Sequence, residues 1–175
     1  MQTEDMYVQL KLVLDTDPAA AWRALRSTSV MRELYAPFIG VNAGNTASKT
    51  HWQNATDEIP LMLAGLVPLG RQLIELDYDE TSHPGVKILR DTGSPASGPL
   101  SALRGWNHRM AVSATADDPG RTLFRDRLTF RGPAAGAYWY PLWVMWQWRG
   151  SRLRDMAPNW AFDPELRDET STQHL

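Results

Sequence analysis

Residues 122–130 read Thr-Leu-Phe-Arg-Asp-Arg-Leu-Thr-Phe, and they decide which way a β-sheet faces. Side chains alternate across a strand, so Phe124, Leu128 and Phe130 share one side with Asp126, while Arg125 and Arg127 share the other. The apolar side must face the core, which turns Asp126 inward. Upstream, Arg104–Ala114 reads as the hairpin partner around the turn at 115–120, with Trp106, His108, Met110 and Val112 on one face. Pairing the apolar faces sets His108 opposite Asp126 and Met110 opposite Phe124. A further hairpin, Arg71–Asp79 and Val86–Thr92, aligns Ile74, Leu76 and Tyr78 with Val86, Ile88 and Arg90. Placing Tyr78 opposite Val86 also matches Asp77 to Lys87, an opposite-charge pair. Arg90, His108 and Asp126 are thereby expected to converge on an otherwise apolar interior.

The flanking elements are helical at both ends. Tyr7–Leu14 alternates as a half-buried strand and stops at Asp15-Thr16-Asp17-Pro18, a helix start with Asp17 as N-cap and Pro18 at the first position. The pattern predicts one helix over Ala19–Arg26, with Trp22 and Leu25 inward. A second, over Val30–Ala36, turns Met31, Leu34 and Tyr35 inward. No further helix is expected before Tyr138–Ala157. There Trp139, Leu142, Trp143, Trp146, Gly150, Leu153 and Ala157 recur at helical spacing. Arg149, Arg152 and Arg154 suit the negative pole at the end of that helix. Gly40–Thr50 and Gly93–Leu103 read as loops able to gate an interior, and Phe162–Leu175 as a polar, frayed tail.

Strand, two small helices, antiparallel strands and a long final helix is a telling order. On YVQLKLVLDTDPAAAWRAL at the start, RTLFRDRLTF in the sheet and WYPLWVMWQWRGSRLRDM at the end, the chain resembles the START-like (SRPBCC) superfamily. The resemblance implies an α+β helix-grip fold: a curved antiparallel sheet around the C-terminal helix, over residues 1–160, with 161–175 as a tail. It also implies a cavity between sheet and helix that takes up a lipid, polyketide or aromatic-like molecule. Some members of the superfamily catalyse ring closure or dehydration. One fold hosts many functions, so the resemblance bears on architecture more than on activity.

Composition narrows the field. At 175 residues the chain fits one domain, and a length of this order buries about 70% of the unfolded surface. It contains no cysteine, which excludes disulfides, a thiol nucleophile and cysteine zinc sites. Eighteen basic and twenty acidic residues argue against a nucleic-acid partner. No signal peptide or membrane-spanning run is present in the sequence, so cytoplasmic residence without stable membrane insertion is expected. His51, His83, His108 and His174 are scattered, and neither a metal nor a cofactor is expected.

The ligand-binding residues expected from these patterns are Tyr78, Ile88, Arg90, His108, Met110, Phe124, Asp126, Leu128, Trp143 and Trp146. Three readings of the polar trio stay open. It can be a structural ion cluster, the polar spot that orients a ligand, or, through His108 and Asp126, the acid–base pair of a cyclase or dehydratase. The tryptophans of the last helix can line a cavity, fill it, or reach a lipid boundary. Outward Arg109, Arg125 and Arg127 are expected to form a surface ion network with Asp91.

Overall fold

The computed structural model describes residues 5–41, 56–163 and 166. Seven strands form one antiparallel sheet: β1 (Met6–Leu14), β2 (Ile39–Val41), β3 (Thr56–Leu63), β4 (Val67–Asp79), β5 (Val86–Asp91), β6 (Arg104–Ala114) and β7 (Thr122–Arg131). Their spatial order is β1-β7-β6-β5-β4-β3-β2. Two short helices, α1 (Pro18–Arg26) and α2 (Thr28–Tyr35), follow β1, and a 26-residue helix, α3 (Ala135–Trp160), closes the chain. This is the α+β helix-grip arrangement expected from the sequence.

Local chemistry sets the element ends. The Asp17 side chain accepts hydrogen bonds from the Ala19 and Ala20 amides, both at 2.9 Å, with Pro18 at the first helical position. Ser27 ends α1 through its own amide, which donates to Ala24, and starts α2 by accepting from Val30. Helix α3 runs three residues beyond its expected bounds at each end, so Pro141 lies in its second turn rather than its first. Gly150 lets α3 approach β1: a Cβ built there would meet Leu10 Cδ1 at 3.3 Å.

The inner face of the sheet, α1, α2 and the C-terminal half of α3 enclose the main core around Trp22, Leu89, Phe124, Leu153 and Trp160. Leu166, which the sequence places in a frayed tail, is buried in that core. A second core under the N-terminal half of α3 gathers Val8, Leu128, Phe130 and Trp146.

Two registers depart from expectation. His108 stands opposite Leu128 and Met110 opposite Asp126, a slip of two residues that leaves every face unchanged. The slip in the β4–β5 hairpin is odd. Tyr78 pairs with Leu89 and Asp77 with Arg90, so β5 presents Leu89 and Asp91 inward and turns Ile88 and Arg90 outward. An odd shift exchanges the faces of a strand whose two sides are similarly apolar. The expected Asp77–Lys87 match is replaced by Arg90, whose guanidinium reaches Asp77 at 3.1 Å and Asp79 at 3.3 Å.

Candidate functional site

Strands β6 and β7 carry the polar centre because each places an ionisable residue on its apolar face. His108 and Asp126 are both buried, and His108 donates from Nε2 to Asp126 Oδ1 at 2.7 Å, diagonally across the ladder. Trp146 Nε1 donates to the same oxygen at 3.2 Å. Arg149 Nε donates to the other carboxylate oxygen at 2.7 Å, and its Nη2 lies 3.0 Å from Met110 Sδ. Asp126 therefore receives three side-chain donors. Burial alone would raise its pKa, but the electrostatic pull and hydrogen bonds of His108 and Arg149 outweigh that and hold it at about 2.

Arg149 is the main residue that sequence reasoning misplaced. Its charge groups it with the helix-end arginines, yet it is buried. Its signal was positional: it sits one turn after Trp146 and one turn before Leu153, inside the buried stripe of α3. Its guanidinium lies 5.3 Å from the centre of the Tyr35 ring. Burial raises the Tyr35 pKa, against the pull of Arg149.

Beside this cluster lies a cavity of about 130 Å³ between α1, α2, α3 and the inner face of β3–β6. Apolar side chains dominate its wall, among them Val30, Leu34, Ile59, Ile74, Leu89 and Met145. Its polar groups come from Tyr35, Gln72, Asp91, His108 and Arg149. Asp91 reaches the wall because of the odd register of β5. Its Oδ1 accepts the Glu75 and Gly93 amides, both at 3.0 Å, and burial pushes its pKa up despite those bonds and nearby His108. The surface network expected for Arg109, Arg125 and Arg127 thus lacks its acid.

Of the expected site residues, His108, Met110 and Trp146 line this cavity. Asp126 stands behind the wall, held by His108, Trp146 and Arg149. Phe124 and Leu128 flank Asp126 on β7 as fully buried core residues away from the wall. Tyr78 packs edge-on against Trp22 at 5.9 Å, under the Arg26 guanidinium. Three placements are corrected. Ile88 and Arg90 lie on the opposite face of the sheet, and Trp143 lies on the outside of α3, stacked on Trp139 and Tyr140. Leu100, from the expected gating loop at 93–103, lines the cavity. The other expected gate from residue 42 onward, and His51 and His174, lie outside the described residues. No group of residues suited to hold a metal occurs among the described residues, and no described helix is long and apolar enough to cross a membrane.

No protein-family model matches the chain, and no curated protein does either. Solved structures do. A protein of Chromobacterium violaceum aligns with TM-score 0.57 at 12% identity, over 87% of this chain and 96% of its own. Norcoclaurine synthase of Thalictrum flavum, a point mutant in complex with a transition-state analogue, aligns with TM-score 0.57 at 8% identity, over 90% and 96%. A protein of Nitrosospira multiformis gives 0.56 at 11%, over 90% and 100%. At these identities the likeness concerns architecture. Together with the seven-stranded antiparallel sheet wrapped about α3, it establishes that the chain has the helix-grip fold.

Proposed function

We propose that the protein binds a small, largely apolar molecule bearing one polar or anionic group in the cavity between α2, α3 and β3–β6. The observation that carries this reading is the cavity itself: an apolar wall with Tyr35, Asp91, His108 and Arg149 on its polar side. Ligand pockets of this make-up use a few fixed polar groups for orientation and apolar burial for affinity. Size narrows the ligand class. About 130 Å³ is close to the roughly 150 Å³ of an engineered apolar cavity that takes up benzene. A single aromatic ring with a hydroxyl or carboxylate substituent fits that volume, whereas a lipid or a polyketide chain would require the cavity to open. Arg149 supplies the positive charge that a carboxylate or phenolate would meet.

The polar groups are tied to one another more than they are open. Asp126 is saturated by three donors, which favours binding over proton transfer by the His108–Asp126 pair. A second reading has one observation in its favour. Asp91 is a carboxyl on the cavity wall with a raised pKa, directly across the β5–β6 ladder from His108. In a cyclase- or dehydratase-type reaction those two would exchange protons with the ligand, and Asp126 would orient the imidazole.

The test is thermal denaturation with a panel of phenols and benzoates, beside long-chain fatty acids and aliphatic alcohols. Single-ring compounds are expected to raise the melting temperature of the unaltered protein. In Val30→Phe, which fills the cavity, the shift should vanish. Equal shifts in both proteins would place binding elsewhere.

A further inference from the structure

The outer face of the sheet and the N-terminal half of α3 form a second surface, independent of the cavity. Lys11 on β1 faces Arg125 on β7, and Arg127 on β7 faces Arg109 on β6. Like charges directly opposite on a sheet repel. Among the described residues, none of these four has a carboxylate within ion-pair distance, Asp91 having turned inward. They line a shallow groove of about 460 Å³.

The ridge beside that groove carries no charge at all. Residues 135–148 contain neither acid nor base, and α3 meets no acidic residue before Asp155. Tyr140, Trp143 and Val144 are exposed at 65%, 40% and 46%. Trp143 stacks between Trp139 at 6.4 Å and Tyr140 at 6.0 Å. Ridge and groove meet at Tyr7: Trp139 Nε1 donates to its carbonyl on the free edge of β1, and the Arg127 guanidinium lies 3.9 Å from its ring centre.

From this juxtaposition we infer that the surface docks on an anionic lipid bilayer. Tryptophan and tyrosine rings, apolar with a polar edge, settle at the depth of the headgroups. Unpaired cations beside them meet lipid phosphates, and two weak signals together give reversible attachment where one would not. Charge complementarity demands a negative occupant. The uncharged, stacked ring ridge next to it matches the layered chemistry of a bilayer boundary.

The experiment is co-sedimentation with phosphatidylcholine vesicles, with and without phosphatidylglycerol. Binding is expected only with phosphatidylglycerol and should weaken as salt rises. The double change Lys11→Gln with Arg125→Gln should lower the partition about 25-fold, roughly fivefold for each charge. Trp143→Ser with Tyr140→Ser should lower it by about tenfold or more. All four positions are exposed, and circular dichroism should show the fold retained. Equal binding to neutral and anionic vesicles overturns the inference. So does the absence of vesicle binding, whether the protein stays monomeric, buries Trp143 against a second copy or attaches to an acidic protein instead.

Discussion

Arg149 on the long helix and Asp126 on β7 meet at 2.7 Å with both side chains almost wholly withdrawn from solvent. Two charges in such a site are costly singly and tolerable only as a hydrogen-bonded pair. The contact fixes both the rotation and the depth of α3 against the sheet, and with them the polar side of the cavity.

Removing one partner leaves the other charge stranded. Arg149→Met is expected to destabilise the protein by about 3–5 kcal/mol in urea denaturation. The double change Arg149→Met with Asp126→Leu should recover much of that loss, because it removes both charges. A single change costing less than the double would refute the pairing.

Acid should reveal the same pair. The Asp126 pKa in the folded state, about 2, lies below its ordinary value of 3.8, so its contribution is complete above that value and is lost as pH falls through about 2. The gap corresponds to about 2 kcal/mol. Asp91 has the opposite sign: its raised pKa means that its charged form is disfavoured by folding, and protonation relieves the cost. Asp91→Asn keeps an oxygen for the Glu75 and Gly93 amides and should stabilise the protein at neutral pH, the advantage shrinking in acid. Denaturation midpoints measured across pH would show both slopes. A stabilisation of Asp91→Asn that grows toward low pH would contradict this.

Arg90 offers the contrast. Its bonds to Asp77 and Asp79 lie on the far side of the sheet at partial exposure. Arg90→Gln should cost no more than about 1 kcal/mol and leave uptake of aromatic compounds unchanged. A large loss of ligand affinity would return Arg90 to the cavity.

The tryptophans can be told apart by fluorescence. Trp146 lines the cavity and Trp143 does not. Ligand-dependent emission changes should persist in Trp143→Phe and largely disappear once Trp146 and Trp106, which also lines the cavity, are both replaced by Phe. The reverse pattern would place the ligand outside α3.

Gly70 and Ser97 make a tight crossing. Gly70 has φ +114°, and a Cβ there would collide with the Ser97 carbonyl. Gly70→Ala should therefore destabilise by about 1–3 kcal/mol, read as a lowered urea midpoint. An unaltered midpoint would mean that the two segments separate freely.

Much of this architecture was legible because its patterns are strong. Residues 122–130 oriented β7 unambiguously, with two phenylalanines and a leucine against two arginines. Asp17 and Pro18 marked the start of α1 by their chemistry alone. Strand β5 was not legible, because Val86, Ile88 and Leu89 give both faces apolar character, and a shift of three residues exchanged Arg90 for Asp91 at the cavity. Helix α3 misled in the same way. With aromatic residues around most of its circumference, the stripe could be drawn through Trp143 as readily as through Arg149. Arg149 was obscured by the expectation that arginine stays in solvent, which its bond to Asp126 overrides. Wherever one face was plainly greasier than the other, the sequence was decisive; where both were, only pairing could choose.

Native mass spectrometry of freshly purified protein, followed by organic extraction, tests the central claim most directly. The unaltered protein is expected to carry a single small aromatic compound that organic solvent removes, and Val30→Phe should carry none. A long-chain lipid recovered from both proteins in equal amount would contradict a cavity sized for one ring.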